Sequence, residues 1–265
     1  MKKTLIAMAV AASAAISGSA MAWTANGSGG SVELGGTLNP VEKVTPWEVK
    51  VGDAVNDLDG LIEKGQKDVD IAAKKSILAL GIRTASNKAF VGQEGIAPQI
   101  DFKNAIDLAG FKQGVTTLTL DVKDGASNDK IGTLTAPFNV AAVGSITGSA
   151  DESTADGDVY SYMSAYGTNR GFAGGLADEW AGVNKNPLPV LDALSTEIMA
   201  NFDAQGLRFR DYGGIATNFS SSDAKYSAAY GAGILANDVI KINLDEAVTG
   251  EIVWKAELPV TIYYQ

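Results

Sequence analysis

The run "VTTLTLDVK" at 115–123 sets Leu118, Leu120 and Val122 at alternate positions, with threonine and charge between them. Alternation at period two marks a strand buried on one face. The pattern recurs along the chain: at Val32, Leu34, Gly36 and Leu38 in "SVELGGTL", at Trp47, Val49 and Val51 in "PWEVKVG", and at Ile100 and Phe102 in "PQIDF". "KSILALGI" is nearly all apolar, which suits a strand covered on both faces. "GTLTAPFNVAAV", "KYSAAYGAGI", "DVIKINLDEAV" and "GEIVWKAELPVTIYY" continue the series, and "GG", "DG", "ND" and "NP" supply the turns. Many short strands at even spacing predict a β-sandwich or barrel.

The first 22 residues read as a secretory signal peptide, with a basic "MKK", an apolar "TLIAMAVAASAAI" and a small-residue "AMA" before Trp23. Removing 22 of 265 residues leaves 243, enough for one large domain or two small ones. Losing Lys2 and Lys3 takes the net charge from −10 to −12. Such acidity disfavours nucleic acid and anionic membrane surfaces as partners. With no cysteine, a chain exported to an oxidising compartment relies on its core alone. With no histidine, Ser-His and Cys-His nucleophiles and His-containing zinc sites are absent. The adjacent carboxylates of "ADEW" and "LDEA" do not face one another. These features predict a protein that is not an enzyme, with no cofactor and no metal.

One region departs from the strand pattern. Over about 145–214 the alternation lapses. In "NPLPVLDALSTEIMANFDAQG", Leu191, Leu194, Ile198 and Phe202 fall at spacings of three and four, predicting a helix with one apolar stripe. Pro187 or Pro189 suits its first turn and Gly206 its C-terminal cap. "GGLADEWAGV" predicts a second, shorter helix with Leu176, Trp180 and Val183 on one side. An α/loop insertion on a β scaffold is where variable function usually resides.

The two ends pose the sharper question. "AELPVTIYYQ" alternates at Leu258, Val260, Ile262 and Tyr264, a strand with nothing after it to pair with. At the other end, "GSVELGGTL" lies in a Gly- and Ser-rich stretch suited to a mobile tail. Taken alone, that run is either the first strand of the domain or a strand offered to another chain. Strand addition supplies main-chain bonds for affinity and alternate pockets for specificity.

Several segments, in order, resemble the K88 (F4)/CS31A group of fimbrial subunits of chaperone–usher pili: "MKKTLIA", a mature start at Trp, "GSVELGG", "WEVKVG", "GIAPQI", "SAAYGAGI", "DEAVTG" and "ELPVTIYYQ". The resemblance spans nearly the whole chain. It implies an incomplete immunoglobulin-like β-sandwich lacking its last strand, with an inserted α/loop subdomain. The organisation would be a signal peptide at 1–22, an N-terminal donor-strand extension at 23–40, and a pilin domain at 41–265 with its insertion at about 145–214. Val32, Leu34, Gly36 and Leu38 would be the donor positions. Leu258, Val260, Ile262 and Tyr264 would border the acceptor groove. A periplasmic chaperone would fill that groove first, and the extension of the next subunit would replace it at an outer-membrane usher. The product would be a fimbrium on the bacterial cell surface.

In this group the main subunit also acts as adhesin, which implies binding of host galactose-containing glycans through the insertion. Sugar chemistry asks for aromatic faces with hydrogen-bonding groups beside them. Tyr160, Tyr162, Tyr166, Arg170 and Trp180 are the residues of that type. The competing reading is that Trp180 packs the short helix and the tyrosines decorate a loop. A purely structural, minor subunit is the alternative function.

Overall fold

The computed structural model describes residues 25–26, 31–32, 34–39, 44–148 and 158–265. The expected signal peptide at 1–22 lies outside the described residues. The chain divides into two compact units, residues 1–43 and 44–265. In the first, residues 34–39 form no strand, and Val32, Leu34 and Leu38 are 86%, 93% and 96% exposed.

The second unit is mainly β. Its strands are β1 (Trp47–Val51), β2 (Asp68–Ala72), β3 (Ile77–Thr84), β4 (Phe90–Val91), β5 (Pro98–Asp101), β6 (Val115–Asp124), β7 (Lys130–Gly148), β8 (Val159–Met163), β9 (Arg210–Ile215), β10 (Ala224–Ile234), β11 (Val239–Leu244), β12 (Trp254–Lys255) and β13 (Thr261–Tyr264). One helix, α1 (Pro187–Leu194), lies between β8 and β9. The main sheet runs β1-β3-β10-β7-β11-β2 and does not close. β6 adds to β7, β12 to β6, β8 to β7, and β9 to β8 in parallel. β13 pairs with β5 in a separate two-stranded sheet.

β7 carries two burial patterns. Residues 131–138 alternate, with Leu134, Ala136 and Phe138 inward. From Phe138 to Ile146 every residue is buried. The change coincides with a change of partner. Along one edge, β11 pairs with residues 132–135 and β10 with residues 139–148. Pro137 falls in the gap. Val140 N donates to Gly114 O on the β6 side, so alternate positions such as 137 and 139 direct their nitrogens to the other edge. The missing proline N–H therefore costs no ladder bond, because on that edge neither β10 nor β11 pairs with Pro137, while β6 pairs with it on the other.

The fully buried stretch has a cover on each side. One face joins the main core, where Trp47, Phe90, Phe172, Phe219, Tyr226 and Tyr230 form a connected set of aromatic contacts. Trp47 anchors there by donating from Nε1 to Ile96 O at 2.7 Å. The other face carries a second cluster of Ala141, Val143, Ala229, Leu191, Leu194 and Ile198. Small residues on the sheet let α1 approach. A Cβ on Gly231 would stand 2.9 Å from Ile198 Cδ1 and 3.0 Å from Leu191 Cδ2.

The helix is shorter than the periodicity predicts. It stops at Leu194, and Ser195 is extended at φ −170° and ψ 126°. The following turns are held by other partners. Ser195 Oγ accepts from Glu197 N, Arg83 donates to Glu197 O at 2.6 Å, and Lys50 pairs with the Glu197 carboxylate at 2.8 Å. The apolar stripe survives without the helix: Ile198 stays buried and Phe202 packs on Tyr160 at 5.0 Å. The second predicted helix is absent. Residues 174–183 are turns and a bridge, pulled against β5 through Gly174, whose φ is +81°. β1 also turns outward: Trp47 is buried, but Val49 and Val51 are exposed.

Gly231→Val is expected to lift α1 from the sheet by overpacking this contact, at a cost of about 1–3 kcal/mol. Thermal unfolding should show a lower Tm with the β circular-dichroism signature retained. An unchanged Tm would mean that α1 does not rely on the close approach.

Candidate functional site

A cavity of about 1040 Å³ with an apolar floor opens in the second unit. Its floor comes from strands that lie apart in sequence. Leu118 and Leu120 of β6, Leu134 and Phe138 of β7, Ile240 and Ile242 of β11, and Ile71 of β2 all reach it. Period-two alternation aims these side chains the same way, and the sheet gathers them.

The C-terminal segment forms one wall. Trp254, Ala256 and Leu258 line the cavity. Leu258, Val260, Ile262 and Tyr264 are half-buried against the core, while Glu257, Pro259, Thr261 and Tyr263 are exposed. The segment is laddered only at its ends. Trp254 and Lys255 pair with β6, and Thr261–Tyr264 with β5. Among the described residues, no backbone hydrogen bond joins residues 256–260 to a neighbouring strand. Half-buried, extended backbone with open donors and acceptors is a template for a further strand.

The facing wall was not legible from the alternation. Residues 52–62, "GDAVNDLDGLI", line the cavity without forming a strand. Val55, Leu58 and Ile62 turn inward at spacings of three and four, and Leu61 is fully exposed. That spacing is the available signal, masked by the glycines and aspartates around it. Gly52 is required here, since a Cβ would stand 1.7 Å from Leu78 O. Val51 and Val253, 59% and 68% exposed, extend the apolar rim.

The tyrosine group divides. Tyr162 is buried and meets Trp180 edge-on at 6.3 Å. Tyr166, 51% exposed, leans over Trp180 at 5.9 Å and 37°. These three rings form one cluster, with Tyr166 as its exposed member and Trp180 half-buried beneath it. Tyr160 belongs to the α1 cluster, against Phe202 and Phe209, where burial pushes its phenol above the ordinary range. Arg170 lies by Gly167, and its carbonyl accepts from Gln99 Nε2 at 2.9 Å. Sequence reading missed β9, which borders the cluster. A Cβ on Gly214 would stand 2.4 Å from Tyr162 and 2.6 Å from Trp180. Two residues earlier, Tyr212 is exposed with the Arg210 guanidinium 5.4 Å over its ring. Only the fold brings 160–180 and 210–215 together.

Comparison with known proteins finds relatives over the whole length of the chain. A K88-type family model described as "Fimbrial, major and minor subunit" matches residues 1–265. The F41 fimbrial protein of Escherichia coli is 27% identical over 283 residues, covering 100% of both chains. The K88 fimbrial proteins AB and AC of Escherichia coli are each 30% identical, over 292 and 295 residues, again with 100% of both chains covered. An apolar groove with an unladdered wall, on a mainly β domain, therefore sits in a chain that belongs to the K88 family of major and minor fimbrial subunits.

Proposed function

We propose that this subunit polymerises into a surface pilus by donor-strand exchange, its domain being an immunoglobulin-like sandwich that lacks one strand. The carrying observation is the 1040 Å³ cavity with its apolar floor and with backbone along residues 256–260 that has no partner strand among the described residues. Folded interiors are close-packed, so a cavity of this size and polarity suits a protein occupant. Val32, Leu34 and Leu38 supply matching chemistry: large apolar side chains at period two, all exposed. Three such residues entering apolar pockets are worth roughly 1.5–3 kcal/mol each, before any ladder bonds form. Gly36 falls where no side chain is needed. In this reading a signal peptide at 1–22 directs export to the periplasm. A chaperone strand covers the groove there, and at the outer-membrane usher the extension of the next copy replaces it. The fimbrium then stands on the cell surface.

The decisive test is deletion of residues 23–38 from the chain co-expressed with its assembly partners. Electron microscopy should show no fibres, while the shortened subunit still accepts an intact subunit's tail in a mixed assembly. Fibres built from the shortened chain alone would reject the donor assignment.

A second function rests on a separate observation, the cluster of Tyr166, Trp180 and Tyr162 beside Gly214. Aromatic rings with flanking polar groups suit the apolar face of a galactose-type sugar, which makes the subunit an adhesin for host glycans. The alternative is a minor, purely structural subunit. A monomer completed in cis, with the donor sequence fused at its C-terminus, should bind galactose-containing glycans on an array. Trp180→Ala should weaken that binding about tenfold, or about 1.4 kcal/mol, while Tyr160→Phe leaves it unchanged. Silence across the array would favour the structural alternative.

A further inference from the structure

An unbroken run of main-chain contacts links the groove wall to the aromatic surface. The wall continues from Leu258 and Val260 into β13, where Ile262 and Tyr264 pair with Ile100 and Pro98 of β5. Gln265 and Ala97 extend that ladder, exchanging N–H···O bonds of 3.1 and 3.0 Å. The other edge of β5 holds the loop after Arg170. Ile100 N donates to Ala173 O at 2.8 Å, and Phe172 N donates to Pro98 O at 2.6 Å. The buried Gln99 side chain adds its bond to Arg170 O.

The loop is pressed onto β5 more closely than any side chain would permit. A Cβ on Gly174 would stand 2.0 Å from Ile100 O. Tyr230, fully buried, donates to Gly175 O at 2.8 Å and stacks on Phe172 at 5.2 Å. Two residues on, Ala177 O accepts from Ala165 N at 2.9 Å and from Ser164 Oγ at 3.0 Å. Ala165 precedes Tyr166, and Ala177 leads into Trp180. The exposed Tyr166 ring and the half-buried Trp180 ring thus flank a loop whose far side is fastened to β5.

The adjustable member of this train is the wall, laddered at both ends and, among the described residues, without a partner strand over 256–260. We infer that filling the groove stiffens the Tyr166–Trp180 surface, because a strand bound along residues 256–260 fixes β13, and β13 acts through β5 on the 170–177 loop. Ordering of one site then lowers the ordering cost at the other, which is positive coupling without a change of shape. The inference rests on the groove being a strand acceptor, and it assigns the aromatic surface an assembly-dependent state.

Hydrogen exchange on the monomeric mature chain, with and without excess synthetic peptide of residues 31–39, tests it. Peptide binding should slow exchange at Ile100, Gly171 and Phe172 about tenfold more than at α1, which packs on the other face of the sheet. Equal slowing everywhere would indicate only global stabilisation and overturn the coupling. Slowing confined to the cavity lining would overturn it too, while leaving the acceptor groove standing. No slowing at residues 254–264 would remove the acceptor groove and the coupling together.

Discussion

β7 is the strand on which the rest of the domain depends. Its 19 residues pair with β6 and β11 over the first half and with β10 and β8 over the second. One strand serves two sets of partners because its edge changes hands at Pro137, where no N–H is available to be wasted. The change of partners separates a half-buried region from a fully buried one. Beyond it, α1 closes the outer face of the sheet. Before it, β6, β11 and β2 face a space that the described residues leave open.

That open space is the physical reason the C-terminal segment has its form. Its even-numbered residues from Ala256 to Tyr264 are half-buried, yet the backbone between Lys255 and Thr261 has no partner strand among the described residues. A finished sheet would satisfy those groups, since open extended backbone beside an apolar surface invites pairing. The segment opposite, residues 52–62, is likewise without a strand. Two unladdered walls and an apolar floor thus bound the same open space.

Much of the β framework is legible locally. β6, β11 and the alternation of the C-terminal segment follow from period two, because side-chain direction in a strand depends only on residue parity, whereas β10 is buried on both faces. Helical content is less legible. The stripe Leu191, Leu194, Ile198 and Phe202 is real as a packing pattern, but backbone captured by Arg83 and Ser195 ends the helix at Leu194. Periodicity reports which residues face the core, and it is blind to a competing hydrogen bond from a distant strand. The same limit explains the "GGLADEWAGV" segment, whose carbonyls at Gly175, Ala177 and Gly182 accept from the distant Tyr230, Ala165 and Gly114 in place of helical partners.

By itself the sequence determined the class of the fold and the faces of its strands, since both arise from spacings of a few residues. It also pointed to both ends of the chain as strand-like, because alternation is visible without knowing any partner. Tertiary structure alone decided which residues meet. Tyr162, Tyr166 and Trp180 converge while Tyr160 goes to the opposite cluster, and Gly214 joins them from a strand more than thirty residues away. The groove belongs to the same category. Its floor is assembled from four strands, and its second wall from a loop whose apolar spacing carries no meaning until β2 and β3 place it. Local spacing sets the direction of a side chain; long-range pairing sets its neighbours.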